Sequence, residues 1–565
     1  MGWRNVALTL SIVIIVGCSL DRGERMHRQF QHIADEFIRA WLQVHPSSAS
    51  WLGFHEFDGW VEDYRAEAVE AEVHRLKETL KRLDELDPLR LSQADYSDYQ
   101  VLRNQILSEL LEYEEIQSWR KNPMHYAVRF DVSGYVKRNY APLEDRLRAV
   151  IAKEKKFGQI VEVAKQNLVK QTARTFVSTA IDMAQGQVVF LKSSLPELIR
   201  SVGDDTLKEE FESSNDRAIG FVEEFVRYLK QELLPAANND FAIGTEPFRK
   251  MLLYGEMVDQ PLDDLLQRGL DDLQRTQEAY RAVAAQVDPS KTPAQVLRKI
   301  ADDHPTAEGL IPDGAKTLQE LRKFLIDHAI VTVPDTANLQ VRESLPFERW
   351  AFASLDPPGL FETKSTEAFY YITPVESTWS AKQKEEWLRA FNYPVLKIIS
   401  IHEAYPGHYL HFLRYRTVPS KVARVFGSYS AIEGWAHYTE QMMIDEGYGD
   451  GDPVIRLAQL HEALIRLCRY VVAIRMHALG MSVDEATRFF KENAFMEEHP
   501  ARKEAERGTF DPGYLNYTLG KRQLLELRQE LSSREGGHFS LRKFHDEILL
   551  HGALPVPLLR EMLLD

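Results

Sequence analysis

Two histidines, a glutamate and a Pro-Gly pair stand together in Ile401-His402-Glu403-Ala404-Tyr405-Pro406-Gly407-His408-Tyr409-Leu410-His411. Neutral imidazole is the commonest protein ligand for zinc, and a neighbouring carboxylate that does not bind the metal is placed to deprotonate water. In the usual His-Glu-x-x-His string, a four-residue step puts both rings on one helix face. Here the step from His402 to His408 is six residues. At about 100° per residue six positions rotate roughly 600°, so an uninterrupted helix would point the rings apart. Pro406 lacks an amide donor and Gly407 tolerates unusual backbone angles, so the pair is expected to break or bulge the helix and return His408 to the side of His402.

A hydrolytic zinc site takes three protein ligands and keeps one position open. Glu433 lies 25 residues after His408 at the head of a helix-forming segment that reads Glu433-Gly434-Trp435-Ala436. That arrangement is similar to the gluzincin metallopeptidases, in which a glutamate from the next long helix completes the site. Glu440 follows seven residues on, about two turns later and on the same face. It is the alternative ligand, or an outer carboxylate that orients a histidine.

The resemblance widens beyond these strings. His402-Glu403, Pro406-Gly407-His408 and Glu433-Gly434-Trp435-Ala436, followed by Tyr438 and Glu440, resemble a bacterial family known as domain of unknown function 885. Arg466, Arg469, His477 and Gly480 match an arginine-rich segment of that family. Glu504, Arg507, Pro512-Gly513, Tyr517 and Gly520 match its late segment, and Pro46 to His55 an early one, so the likeness spans about residues 28 to 535. It implies a zinc metallopeptidase acting on peptides, with His402, His408 and Glu433 holding Zn²⁺. Glu403 then takes a proton from the attacking water and passes it to the leaving amine, while an O–H or cationic donor stabilises the oxyanion. Tyr517 is the first candidate for that donor and His477 the second. Arg507 is expected to pair with Glu504 one turn earlier, the alternative being a substrate carboxylate. Tyr371 is a candidate substrate contact. His411 and His437 are read as local structure, and Tyr405, Trp435 and Tyr438 as cleft walls or core.

Three positions depart from the family pattern: Ala473 stands for Asp, Arg475 for Gly and Gly508 for Tyr. They keep a second expectation open, a peptide- or metal-binding lipoprotein that has lost turnover. A third is a zinc hydrolase of non-peptide amides or esters, since the same activated water attacks any acyl carbon.

The elements that must position these groups read as mainly α: a large helical domain with a deep cleft and a small β-sheet inserted before the His-Glu helix. Phe30, Ile33, Phe37, Ile38 and Trp41 recur at steps of three and four, the period of one buried helix face. Amphipathic patterns cover Val69 to Leu86 and Asp98 to Ile116. Further helices are expected near 142–172, 174–195, 204–235, 259–286 and 292–303, then from Pro453 to Leu479, near 482–493 and near 515–534. Between 329 and 375 the short runs Ala329–Val333, Leu339–Val341, Trp350–Ala353 and Ala368–Ile372 are β-branched or aromatic and broken by prolines. The resulting sheet either offers its edge to an extended peptide or is a structural hairpin. Residues 28–328 and 329–565 are expected to form one continuous domain.

The bulk properties exclude some classes. The 565 residues are 44% hydrophobic and 27% charged, as in a folded globular protein. Lys plus Arg number 69 and Asp plus Glu 85, and the balance of −16 argues against a nucleic-acid partner, which calls for a basic footprint. At the N-terminus Arg4 precedes an apolar run, Val6 to Val16, too short for a usual membrane span. It ends in Ile15-Val16-Gly17-Cys18, which resembles a lipoprotein lipobox. That resemblance implies a signal peptide over 1–17, lipidation of Cys18, a tether over 18–27, and a protein held to a membrane of the bacterial cell envelope by its lipid anchor. Ser19 after the cysteine points to the outer membrane of a Gram-negative cell. Cys468, the other cysteine, sits in an apolar helical pattern and reads as a small buried hydrophobe, leaving no intramolecular disulfide.

Overall fold

A computed structural model describes residues 3–344, 349 and 353–564, with side chains from residue 23 onward. The side chain of Cys18 and those of the signal segment lie outside the described residues. The chain is 72% helical with a small inserted three-stranded sheet.

Apolar periodicity explains most of the helices. The first, Trp3–Val44, buries Phe30, Ala34, Phe37 and Trp41 along one face. Asp205–Tyr228 begins where the Asp204 carboxylate accepts the Leu207 N–H, which satisfies one of the donors a helix start leaves orphaned. Pro453–Ala478 opens with proline at a position that needs no donor and has the Asp452 side chain as its cap. It lies along Leu262–Val287, where Gly269 gives the Tyr470 ring its space. Each large apolar side chain so enclosed contributes roughly 1.5–3 kcal/mol. One core runs from Phe30 to Leu559 and a second joins Phe248–Val296 to Leu457–Leu519, so early and late helices share their interiors.

Some expected elements differ. The stretch 142–172 is two helices, Leu143–Glu154 and Phe157–Asn167, broken at Lys155-Lys156. A helix absent from the expectations, Glu498–Phe510, carries Pro500 in its first turn, where a missing N–H does no harm. Ala329–Val333 is not a strand. Ala329 takes a φ of +50°, Ile330 and Val331 are buried, and the carbonyl of Ile330 accepts from His545. The run is an apolar anchor without a neighbouring strand.

The sheet consists of β1 (Leu339–Glu343), β2 (Ala353–Asp356) and β3 (Ala368–Ile372) in the order β1-β3-β2. Of the run Trp350–Ala353, residues 350–352 lie outside the described residues. β1 is parallel to β3 and β2 antiparallel, with Val341 and Leu355 both opposite Tyr370. All five residues of β3 are buried. Helix Leu310–Asp327 covers the face that carries Ile372, and a side chain at Gly314 would collide with Ile372 Cδ1 at 2.5 Å. Among the described residues β2 pairs with β3 alone, and its other edge meets the His-Glu helix, Tyr393–Glu403. Among the described residues no helix is long and apolar enough to cross a membrane.

Candidate metal centre

The His-Glu helix starts where Asn392 accepts the Val395 N–H at 3.1 Å, and it stops at Glu403. Four residues outside helical geometry, Ala404 to Gly407, follow, with a cis Tyr405–Pro406 peptide, before a new helix, His408–Tyr415, begins. The return is tight. Gly407 donates its N–H to the carbonyl of Ile401 at 3.0 Å, and a Cβ there would lie 1.8 Å from the carbonyl oxygen of His402. Only glycine lets the chain pass so close to the turn it has left. Trp435 Nε1 donates to the Pro406 carbonyl at 2.9 Å and ties the break to the next helix, Tyr429–Asp445.

The break brings the rings together. The imidazoles of His402 and His408 stand 4.7 Å apart at 87°, and Glu433 Oε2 lies 3.5 Å from His402 Nε2 and 3.3 Å from His408 Nε2. The ligand atoms of the three residues all fall within 4.8 Å of one another. A tetrahedral zinc at 2.0–2.1 Å from each would set its ligands roughly 3.4 Å apart, so the spacing suits such an ion. Glu433 Oε2 is buried without a hydrogen-bond donor, a rare condition that a cation would relieve. Burial opposes ionisation of Glu433, yet the imidazoles of His408 and His402 outweigh it and hold the carboxyl well below its usual range.

Behind His402 lies a buried polar network. Glu440, wholly inaccessible, accepts from His402 Nδ1 at 2.7 Å and thereby turns Nε2 toward Glu433. Glu440 thus stands behind His402, outside the group of ligand atoms formed by His402, His408 and Glu433. Arg466 Nη2 pairs with the same oxygen at 3.1 Å, and His437 Nδ1 stands 3.2 Å from the other. Burial works against the charge on Glu440, but Arg466 and His437 keep it ionised.

Glu403 directs its Oε2 to the Leu355 N–H at 3.1 Å, so the carboxylate beside the first histidine also touches the edge of β2 away from β3. Tyr517 reaches the cluster from the opposite side. Helix Asn516–Glu535, which carries it, meets the Glu433 helix backbone to backbone. A Cβ on Gly434 would be 2.4 Å from Gly520 Cα, and one on Gly520 only 1.9 Å from the Ser430 carbonyl. The two glycines thus set the distance between Glu433 and Tyr517. The Tyr517 ring lies 6.3 Å from that of His402, and Arg469, Arg466 and Arg507 surround it at 5.2–5.8 Å. Burial, with Glu433 nearby, raises the Tyr517 hydroxyl above its ordinary pKa, so it stays a proton donor.

Other expected residues lie elsewhere. Arg507 does not pair with Glu504. It binds Asp511 one turn ahead at 2.8 Å, because Glu504 is taken by Arg469 in a two-pronged pair at 2.7 and 2.8 Å. Arg507 Nη2 also points at the hydroxyls of Tyr517 and Tyr429, 3.4 and 3.5 Å away. His477 does not join the cluster. Its Nε2 bonds the Gly508 carbonyl at 2.7 Å, its Nδ1 faces the Ile243 N–H at 3.4 Å, and burial pushes its pKa down to about 4. Tyr371 is turned away as well. Tyr370 meets Ser400 of the His-Glu helix, and alternation along β3 sends its neighbour to the other face. His411 bonds the Gly552 carbonyl at 2.9 Å. Tyr405, Trp435 and Tyr438 are buried in the core.

The three departures from the family pattern sit in packing. Ala473 is in the core, Arg475 stacks over Phe489 at 5.3 Å, and Gly508 abuts the Tyr514 hydroxyl, which fills the space a side chain would take. Two nearby groups escaped the sequence reading. Tyr429 is four residues before Glu433 and shares its face, a spacing that could have revealed it. Lys521, one turn after Tyr517, is buried near Glu440, and burial lowers its pKa to about 8. Its enclosure follows from the Gly434–Gly520 contact, which no local pattern announces.

The sequence matches the family described as "bacterial protein of unknown function (DUF885)" over residues 46–563. The chain belongs to that family. The DUF885 match runs into the last helix, Val556–Leu564, beyond the motif segment that ends near residue 535. Among solved structures the chain is similar to a candidate lipoprotein of unknown function from Shewanella oneidensis, at 26% identity and a TM-score of 0.80, covering 95% of this chain and 100% of that one. A candidate lipoprotein from Colwellia psychrerythraea shares the fold at 18% identity and a TM-score of 0.78, over 94% of this chain and 98% of that one. No curated protein matches the chain.

Proposed function

We propose that this DUF885 protein is a zinc-dependent hydrolase, a metallopeptidase that cleaves peptides at the His402–His408–Glu433 cluster. The observation that carries the reading is the approach of two imidazole nitrogens to one donorless buried carboxylate oxygen at 3.3 and 3.5 Å, close to the spacing of tetrahedral zinc ligands, with all three atoms within 4.8 Å of one another. Zinc bound there would supply a Lewis acid that activates water and polarises the scissile carbonyl. Glu403 takes the proton of the attacking water and delivers it to the leaving amine. Its Oε2 is already held by the Leu355 N–H, which fixes the carboxylate against β2. Tyr517, kept protonated by burial, donates its hydroxyl to the developing oxyanion, with Arg507 beside it. Beside the Leu355 N–H that Glu403 takes, the outer edge of β2 is where an extended peptide would add, which favours a peptide over a small ester.

The lipobox resemblance at Cys18, together with similar folds described as candidate lipoproteins, supports a chain held by lipid in the bacterial envelope. A second reading, a binding lipoprotein without turnover, rests on Ala473, Arg475 and Gly508; the packing of all three against other groups favours the first.

The test compares zinc-loaded wild type with Glu403→Gln on a peptide library and an ester library. Wild type should cleave peptides and Glu403→Gln should retain zinc without turnover, whereas undiminished cleavage by the variant would refute the mechanism. Tyr517→Phe should keep its zinc and lose on the order of 10²–10³ in kcat, as removal of one oxyanion donor does.

A further inference from the structure

On the Tyr517 side of the metal centre, Tyr429 stands between the cluster and a pair of cavities. Tyr429 packs against Tyr517 with ring centroids 6.0 Å apart, and its other side lines a cavity of about 720 Å³. That cavity is bounded by the segment Asp240–Ala242, which also bounds a second cavity of about 830 Å³ reaching Ser178, Ser482 and Lys503 at the surface. The segment is irregular backbone laid between the two as a strap. Each space alone has the size of a small-ligand site, and the shared wall makes them neighbours along one path.

His477 pins the strap. Its carbonyl accepts the Gly244 N–H at 3.1 Å, its Nδ1 faces the Ile243 N–H, and Thr245 Oγ1 donates to the adjacent Ala478 carbonyl at 3.1 Å. Phe248 stacks on the ring from one side at 5.9 Å and Phe241 meets it edge-on at 6.0 Å. Through Nε2 the same histidine grips Gly508, so the strap is tied to the helix that carries Arg507.

The walls say what the path takes. Thr175, Ser178, Asn238 and Asn239 of the outer space and Gln171 and Asn516 of the inner one are neutral hydrogen-bonding groups. Asn516, 4% exposed, gives its amide N–H to Glu256 at 2.9 Å and keeps an unpartnered Oδ1. Both signs of charge stand among them: Arg502 pairs with Asp484 and Glu506 in the outer space, and Arg120, Lys121 and Glu112 border the inner one. Donors and acceptors strung along a path, with charges of both signs between them, match the repeating N–H and C=O of an extended backbone better than they match a compact ion of one sign.

We propose that the two cavities form one channel that holds the part of a polypeptide substrate extending from the cleaved bond to the surface, with His477 as the positioning residue that fixes the strap between them. This rests on the peptidase reading, so the test measures binding and cleavage separately. Zinc-loaded Glu403→Gln is titrated with fluorescent peptides of about four and about twelve residues, the longer spanning roughly 40 Å when extended. The long peptide should bind at least tenfold tighter. Ala242→Trp, at the shared wall, and Ser178→Trp, in the outer space, should bring the long-to-short affinity ratio to near one. His477→Ala in the otherwise wild-type chain should raise KM for the long peptide with little change in kcat, a split that general destabilisation would not give.

Equal affinity for both lengths, or a ratio untouched by Ala242→Trp, overturns the channel even if peptides are cleaved. Length-dependent binding without cleavage by wild type keeps the channel and sinks the hydrolase. Absence of peptide binding sinks both, and a soluble glycan oligomer that outcompetes the long peptide would replace the occupant and overturn the proposal.

Discussion

Two sets of buried histidines sit in this molecule under opposite rules. In the cluster, His402 is gripped by carboxylates. Burial would lower its pKa, yet Glu433 and Glu440 raise it to about 9. Away from it, His411, His477 and His545 bond backbone carbonyls, and burial pushes them down to about 4, 4 and 3. A carbonyl acceptor fixes a tautomer and uses up the N–H; the histidine is then a neutral strut between segments. A carboxylate behind one nitrogen fixes the tautomer too, but makes the other nitrogen a better base and aims it. Burial alone does not mark a functional histidine. Its partner does.

The comparison breaks most directly at Glu433. Glu433→Gln should abolish stoichiometric zinc retention after dialysis, whereas His477→Gln should retain it; equal loss in both would erase the distinction. Gly407→Ala tests how the two rings are brought together. A Cβ 1.8 Å from the His402 carbonyl has nowhere to go, so the variant should lose about 4 kcal/mol or more in chemical denaturation and bind zinc poorly even where folded. Glu440→Gln should cost 10–100-fold in zinc affinity, read by competition with a chromophoric chelator. It also takes from the buried Arg466 one of its two carboxylate partners, leaving Glu462 alone, so a compensating Arg466→Met should recover part of the lost stability and none of the affinity.

What could be read from the sequence follows the same division. His402, His408 and Glu433 were legible because the chemistry demands residue types and Pro406-Gly407 announces the break. The long helices were legible from their period. The partners were not. Nothing in the string around His477 distinguishes a strut from a catalytic group, because the Gly508 carbonyl that claims it arrives from 31 residues away. Arg507 was assigned to Glu504 by local spacing, but the helix that bears Arg469 competes for that carboxylate and wins with two bonds. Ala329–Val333 has strand composition, yet without a neighbour to pair with, it became a buried anchor. Composition fixes what a segment prefers; the fold decides who stands opposite.

The smallest expected effect sharpens the comparison through pH. A histidine whose folded pKa lies below its unfolded value of about 6.5 binds fewer protons folded than unfolded between those two values. Stability therefore rises with pH across that window, and acid removes it as the pH falls from about 6.5 toward 4. For His477 the loss is on the order of 2–3 kcal/mol by pH 4, and His411 and His545 add losses of the same sign. Gln at position 477 can still donate to the Gly508 carbonyl but takes up no proton. Urea unfolding of metal-free protein should then show wild type losing more stability than His477→Gln between about pH 6.5 and pH 4. Parallel losses would mean that the imidazole is not held neutral, and a smaller loss in wild type than in the variant would class the strut with the carboxylate-backed ring of His402, whose charged form the fold favours.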